Sequence, residues 1–308
     1  MTTILAFGGN ALLPDPFHPE GQEERARDLA SAVLLLLARS RGLVLVHGNG
    51  PQVGMILLRV EATRERLPPE PLDVLVAETQ GSIGYLLVRA LGNALREHGS
   101  PLEVTSILTQ VVVDPDDPAF DKPEKPIGPF YSERNAELLR EKRGWHMTEV
   151  AGKGWRRVVA SPRPQRVVEI TSIAEAAEAG RVVVAGGGGG VPVRDDEGEL
   201  SGMEAVIDKD RTSALLAITL RAESFVILTG VPHVSRAFGT PAEERVAELS
   251  MAEARALLEA AEFPPGSMGP KIEAACDYAE ATGHHALITD TPSLAAALEG
   301  RAGTRIAP

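Results

Sequence analysis

Cysteine, lysine and aromatic residues are all scarce in this sequence of 308 residues. The single cysteine, Cys276, excludes an intramolecular disulfide and a cysteine-rich metal site. Only six of the 31 basic residues are lysines, so arginine provides most of the positive charge. Each lysine is therefore a candidate for a specific role, and the six are Lys122, Lys125, Lys142, Lys153, Lys209 and Lys271.

The sequence also lacks a long apolar run and an excess of positive charge. Its longest apolar stretch, SAVLLLLA at residues 31–38, is far too short to cross a bilayer, and the amino-terminal apolar run breaks at Gly8 before a signal sequence could form. The formal net charge of -12 argues against a nucleic-acid or membrane surface. We therefore expect a cytoplasmic protein with neither kind of partner.

Glycine-rich turns follow three short apolar runs. The run ILAF leads into GGNALL at residues 8–13, LVLV leads into HGNGPQVG at residues 47–54, and VVVA leads into GGGGG at residues 186–190. Glycine has no Cβ, so such a turn can bring bare backbone amides against a phosphate or a carboxylate. Three turns of this kind point to a nucleotide-dependent enzyme.

Apolar runs and helical patterns alternate along most of the chain, which indicates an α/β fold with a parallel sheet covered on both faces. We predict strands at residues 3–7, 43–47, 102–107, 182–185, 224–228 and 286–289. Two capping boxes are predicted at helix starts, Ser172 with Glu175 and Ser250 with Glu253.

Residues 114–164 break this alternation. The stretch DPDDPAFDKPEKPIGPFY is too rich in proline for a central strand, so we expect the segment to lie outside the main sheet as a protruding lid subdomain. A disordered linker is the alternative. Five of the twelve aromatic residues lie in this segment, which favours local packing.

Two familiar phosphate-binding motifs are absent. No glycine run is followed by Gly-Lys-Ser/Thr, as a P-loop requires, and Val191 stands where the dinucleotide fingerprint needs its last glycine. A P-loop kinase and a Rossmann dehydrogenase are therefore disfavoured. What remains is a phosphate site built from turns and dispersed lysines.

Taken together and in order, the motifs GGNAL, HGNGPQVG, KPIGPFY, GWRRVVASPRP, GGGGGVPV, AVIDKD, LTGV and PGSMGPKIEAA resemble those of the carbamate kinases, a branch of the amino acid kinase superfamily. The resemblance spans nearly the whole chain. It implies a single domain over residues 1–308, folded as an open three-layer αβα sandwich with a mostly parallel central sheet. Its amino-terminal half would bind the acceptor and its carboxyl-terminal half the nucleotide.

The same resemblance implies reversible phosphoryl transfer between ATP and carbamate, with ADP and carbamoyl phosphate as the other pair, Mg²⁺ as the nucleotide's metal, a homodimer and a place in arginine metabolism. It assigns catalytic roles to Lys125, Lys209, Asp210 and Lys271, and to Asp208 a contact with Mg²⁺ through water. The implied substrate-binding residues are Gly8, Gly9, Asn10, Gly48, Asn49, Gly50, Gly187 and Gly188. The implied nucleotide-binding residues are Lys209, Thr229, Gly230, Val231, Met268 and Lys271.

The residues alone leave other interpretations open. A lysine in a proline-rich loop, such as Lys125, is more often a solubilising charge, and Asp208 and Asp210 could form a local ion-pair network around Lys209. Pro232 and His233 depart from the family pattern, which leaves adenine recognition open. A kinase for another small carboxylate or phosphate and a non-catalytic nucleotide sensor remain alternatives to carbamate kinase.

Overall fold

The computed structural model describes residues 2–8, 12, 19–150, 152–263 and 267–308. The described strands, in chain order, are β1 (Thr2–Phe7), β2 (Gly42–His47), β3 (Val104–Ser106), β4 (Gln110–Val113), β5 (Lys125–Tyr131), β6 (His146–Val150), β7 (Gly154–Val159), β8 (Pro164–Val167), β9 (Val182–Val184), β10 (Val191–Asp196), β11 (Glu199–Gly202), β12 (Ser224–Leu228), β13 (Val234–Arg236), β14 (Glu244–Val246), β15 (Glu248–Ser250), β16 (Ala286–Thr289) and β17 (Thr304–Ala307). The described α-helices are α1 (Pro19–Leu37), α2 (Gly50–Thr63), α3 (Leu72–Glu97), α4 (Glu133–Arg143), α5 (Ile170–Glu178), α6 (Lys209–Thr219), α7 (Met251–Glu259), α8 (Met268–Thr282) and α9 (Leu294–Leu298).

Eight of these strands form the central sheet, in the order β15-β17-β16-β12-β1-β2-β9-β3. Neighbouring strands are parallel throughout, except that β17 runs antiparallel to β16. The inner strands β1, β2 and β9 are apolar at nearly every position and almost completely buried, as expected of parallel strands covered on both faces. The predicted α/β fold class with a mostly parallel sheet is confirmed.

Side chains at alternate positions of a strand pack into two separate hydrophobic cores. Ile4 and Ala6 of β1 point to the face covered by α5, α6, α7 and α8, whereas Leu5 and Phe7 point to the face covered by α1, α3 and α9. Helices on both faces of one sheet give the three-layer sandwich. Cys276 of α8 is fully buried in the first core, and burial raises the pKa of its thiol to about 11.

Smaller sheets flank the sandwich. One has the order β11-β10-β4-β8, another β5-β7-β6, and β13 pairs with β14. The β5-β7-β6 sheet and α4 lie within residues 114–164, and their apolar side chains share a third core with α2 and α3. Arginines stack on the rings of this segment, Arg140 on Trp155 and Arg157 on Trp145. Its movement as a lid stays a prediction.

The helix N-termini in the structure test the two predicted capping boxes. The capping box of Ser250 and Glu253 is present at the start of α7, so this prediction is confirmed. The one predicted at Ser172 is wrong, because α5 already begins at Ile170 with Glu169 as its N-cap residue. None of the helices in the described ranges combines the length and apolar character needed to cross a membrane.

Candidate active site

The candidate site lies at the carboxyl edge of the central sheet, where the strands β12, β1, β2 and β9 stand side by side. From β1 the chain moves to β2 on one side, and it later returns to β12 on the other side. Crevices at such a reversal of strand order, outside the carboxyl ends of parallel strands, bind ligands in open α/β sheets. Gly8, the HGNGPQVG turn, the GGGGG run and the LTGV turn all follow strands that end at this edge.

The second turn is tied to the end of β1 by a backbone hydrogen bond. Gly8 directly follows β1, and the Gly48 amide, just after β2, donates to the Phe7 carbonyl over 2.9 Å. Asn49 is only 3% exposed and its Nδ2 donates to Thr79 Oγ1 over 2.8 Å, while Gly50 opens α2. The predicted site residues Gly9 and Asn10 lie outside the described residues.

The glycine run after β9 packs directly against the second turn. A Cβ placed on Gly187 would lie 2.3 Å from His47 Nε2, and one placed on Gly188 would lie 2.2 Å from Asn49 Nδ2. Real Cβ atoms essentially never approach other atoms within 3.0 Å, so only glycine allows this packing. The structure therefore brings Gly48, Asn49, Gly187 and Gly188 together from two strand ends.

Sequence reasoning missed the residue that anchors this glycine run. Gln80 of α3 is 4% exposed, and its Nε2 donates to the carbonyls of Thr109 and Gly187 over 3.0 Å each. Its Oε1 accepts from the Thr109 amide over 2.7 Å, and Thr109 Oγ1 accepts from the Gly186 amide over 2.9 Å. The sequence signal that could have identified Gln80 is a polar amide side chain on the apolar face of a helix.

The predicted charged residues meet at the start of α6. Asp208 is its N-cap residue, and its Oδ1 accepts from the Asp210 amide over 2.9 Å. Lys209 contacts Asp210 through an ion pair, and Lys271 Nζ lies 3.1 Å from the other Asp210 oxygen. Lys125, from β5, pairs with Asp208. Three ammonium groups from distant parts of the chain thus converge on two adjacent carboxylates.

This cluster is largely shielded from solvent. The side chains of Lys209 and Asp210 are 10% and 4% exposed, whereas that of Lys125 is 24% exposed. Burial alone would raise the pKa of Asp208, but the charges of Lys125 and Lys209 hold it well below its usual range. Burial lowers the pKa of Lys209 and the Asp210 carboxylate opposes this shift. The Asp208 carboxyl is therefore ionised at neutral pH.

The predicted nucleotide-binding turn follows β12. The Thr229 amide donates to the Thr289 carbonyl over 2.8 Å, which ties the end of β12 to that of β16 and leads into Gly230 and Val231. Met268 begins α8, and Lys271 lies in its first turn, where its Nζ also donates to the Ser267 carbonyl over 3.2 Å.

A direct metal site is not evident in the described ranges, which hold no cluster of three or more His, Cys, Asp or Glu side chains placed to bind a metal ion. Both oxygens of Asp208 already have partners, namely the Asp210 amide and the Lys125 ammonium. Mg²⁺ keeps several waters and is usually held by one or two carboxylates and substrate phosphates. The donor set therefore fits a hydrated Mg²⁺ that contacts Asp208 through water.

Comparisons with known proteins match this chain to one protein family. The "Amino acid kinase family" matches residues 1–290 of this chain. The carbamate kinase of Pyrococcus furiosus is 42% identical over 309 residues, covering 99% of this chain and 98% of the relative. An Escherichia coli protein described as carbamate kinase-like protein YahI is 45% identical over 309 residues, with 98% of each covered.

A solved structure agrees with these sequence relatives. The carbamate kinase from Giardia lamblia bound to AMP-PNP superposes on this chain with a TM-score of 0.90 at 38% identity. The match covers 99% of this chain and 98% of that one. Sequence and fold therefore agree over almost the full length of both molecules.

Proposed function

Because this chain belongs to the amino acid kinase family, and within it to the carbamate kinases, we propose that it transfers a phosphoryl group reversibly between ATP and carbamate, giving ADP and carbamoyl phosphate. The family predicted from the sequence motifs is confirmed. The observation that carries the proposal is the convergence of Lys125, Lys209 and Lys271 on the carboxylates of Asp208 and Asp210.

Phosphoryl transfer requires little covalent chemistry from the protein, so alignment and charge neutralisation supply most of the catalysis. Lys209 and Lys271 share the Asp210 carboxylate. We assign both ammonium groups to the nucleotide phosphates, with Asp210 fixing their positions. Lys125 would reach the transferring phosphoryl group from β5, and Thr229, Gly230, Val231 and Met268 would line the nucleotide.

The acceptor would occupy the neutral turns formed by Gly8, Gly48, Asn49, Gly187 and Gly188. Apart from that of Gly48, which donates to the Phe7 carbonyl, backbone amides of these turns and the Asn49 side-chain amide suit a small planar oxyanion such as carbamate. Carbamate is already an oxyanion nucleophile, so the step needs no general base. This agrees with His47, because burial lowers its pKa to about 4 and so makes its imidazole a weak base.

Mg²⁺ bound with ATP would supply additional neutralisation of the phosphate charge. Asp208 is the residue we assign to hold it, through water, because both of its oxygens already accept hydrogen bonds. We also propose that residues 114–164, which carry Lys125, act as a lid. A cytoplasmic location, where ATP is available and Cys276 stays reduced, completes this part of the proposal.

A homodimer is also proposed, formed through the exposed side of α3. Tyr85 on this side is 65% exposed, with the Arg89 guanidinium 5.4 Å from its ring centre. It borders a cavity of about 990 Å³ whose apolar lining includes Met55, Ile56 and Leu86. Light scattering on the purified protein and on Tyr85→Glu tests this, and a monomeric mass for the unaltered protein would reject it.

The experiment that tests the proposed function measures ATP formed from ADP and carbamoyl phosphate in a coupled assay. Acetyl phosphate, offered in parallel at the same concentration, reports whether the site prefers the carbamoyl group. We expect rapid ATP formation with carbamoyl phosphate and much slower formation with acetyl phosphate. Binding of ADP by calorimetry without any ATP formation would reject the proposal in favour of a nucleotide sensor.

A further inference from the structure

Helix α2 and strand β5 cross at a pair of glycines, Gly54 and Gly128. A Cβ placed on Gly54 would lie 2.5 Å from Gly128 Cα and 2.8 Å from its backbone nitrogen. Both distances are shorter than any real Cβ contact, and the obstacle is backbone, which has no rotamer to adjust. The strand can therefore lie at this distance from the helix only while residue 54 has no side chain.

Strand β5 is held against this contact from its other side. The Gly128 carbonyl accepts hydrogen bonds from Arg156 Nε over 3.0 Å and from Arg156 Nη2 over 2.8 Å, and the guanidinium lies over the ring of Phe130. Gly128 itself has φ +71, in the left-handed region, and the pairing of β5 with β7 shifts register there. The strand is thus clamped between α2 and Arg156 at one point.

Both partners of this contact lead directly to the candidate site. Strand β5 begins at Lys125, three residues before Gly128, and Lys125 pairs with Asp208. Helix α2 begins at Gly50, four residues before Gly54, and immediately follows the turn that carries Asn49. One backbone contact therefore links the strand that carries Lys125 to the helix that carries the acceptor turn.

We propose that Gly54 is a positioning residue for the transfer step, because its missing side chain sets the distance between Lys125 and the acceptor turn. This inference rests on the proposed function of the site. Lys209 and Lys271 belong to α6 and α8, which take no part in this contact. A change at Gly54 should therefore disturb phosphoryl transfer while leaving nucleotide binding in place.

The test compares Gly54→Ala with Gly92→Ala. Gly92 also lies inside a helix, α3, but a Cβ there meets only the Arg96 side chain at 3.6 Å, an ordinary contact. To relieve its contact, Gly54→Ala must move β5 by about 1 Å, and a misplacement of that size can cost about 10²-fold in rate. We expect kcat for ATP formation to fall by about 10²-fold in Gly54→Ala and to stay unchanged in Gly92→Ala.

Two further measurements separate positioning from damage to the fold. Affinity for ADP, measured by calorimetry, should match that of the unaltered protein in both variants. Hydrogen exchange in residues 125–131 should be faster in Gly54→Ala than in the unaltered protein, and unchanged in Gly92→Ala. Arg156→Lys cannot make the two-donor contact with the Gly128 carbonyl. It should likewise keep its affinity for ADP and exchange faster in residues 125–131, with a smaller loss of kcat than Gly54→Ala.

The outcomes separate this inference from the proposed function. Unchanged kcat in Gly54→Ala, or a parallel loss of kcat and ADP affinity, would overturn the positioning role. If the unaltered protein forms no ATP, the proposed function fails instead. The exchange measurement still decides whether the Gly54 contact holds β5 in place.

Discussion

The two sides of the candidate site are formed by different kinds of chemical groups. The proposed nucleotide side consists of paired charges, Lys209 and Lys271 around Asp210, with Lys125 and Asp208 beside them. The proposed acceptor side has, among its described residues, glycines, the side-chain amide of Asn49 and the neutral, buried His47. Because a triphosphate carries several charges and a small acceptor carries one, side-chain charge suits the first ligand and backbone amides suit the second.

The two sides also differ in the contacts that hold their residues in place. Ion pairs hold the lysines of the proposed nucleotide side, so we expect a nucleotide to displace the carboxylates from these lysines when it binds. The acceptor side is held by hydrogen bonds from Gln80 and by the close packing of Gly187 and Gly188. Substitutions on the first side should therefore change activity, and those on the second should also change stability.

The largest effect is expected from Lys209→Ala and from Lys271→Ala. Each removes an ammonium group that we assign to the nucleotide phosphates, and loss of one such contact to developing charge typically costs about 10²–10³-fold in kcat. Coupled assays of ATP formation provide the measurement, with the exposed Lys142→Ala as the matched control. Unfolding midpoints should stay close to that of the unaltered protein. Near-normal turnover in both variants would reject the assignment of the charged side.

An intermediate effect, on stability as well as activity, is expected from Gln80→Leu. This change leaves the buried Thr109 amide without its partner, whereas the carbonyls of Thr109 and Gly187 keep the bonds from the Val191 and Gly190 amides. The free energy of unfolding should fall by about 1–3 kcal/mol. The KM for carbamoyl phosphate should rise more than the KM for ADP. Urea unfolding and steady-state kinetics supply the measurements, and Gln165→Leu at an exposed position is the control. A stability equal to that of this control would break the distinction between the two sides.

The smallest effect is a pH dependence of stability that arises from His47. Because burial lowers its pKa to about 4, the unfolded chain binds a proton below about pH 6.5 that the folded chain does not bind. Stability should therefore fall with falling pH, and the His47 contribution between about pH 7 and about pH 5 is about 2 kcal/mol.

Urea unfolding at both pH values, on the unaltered protein and on His47→Gln, isolates this contribution as the difference between the two slopes. The substituted protein should lose the smaller amount of stability on acidification. Identical slopes would show that folding does not lower the pKa of His47, so that the imidazole would become charged on acidification in the folded protein as well.

Much of the framework could be predicted from the sequence because its signals are local. The strands at β12 and β16 match their predicted bounds, since each is an apolar run with a clear end, and the Ser250 capping box depends on residues three positions apart. The Ser172 capping box was wrong because the same local pattern occurs inside the first turn of α5. Local spacing identifies a possible cap but cannot choose between neighbouring starts.

The rest depends on partners that are distant in the sequence. Gln80 bonds a residue 107 positions away, and Arg156 holds a carbonyl 28 positions away, so neither role has a local signature. Lys125 is the clearest case, because spacing alone suggests a solubilising charge and only the family resemblance selected it. Its pairing with Asp208 across 83 positions became visible once the fold was known.

The buried thiol of Cys276 makes this chain convenient for probing the proposed lid. With its pKa raised to about 11, the thiol is protonated at neutral pH and sealed inside the core, so it should react very slowly with maleimides. A single new cysteine at the exposed Lys122 position, introduced as Lys122→Cys, could then carry a fluorophore without competing labels. Ligand-dependent changes in its emission would follow the segment in real time.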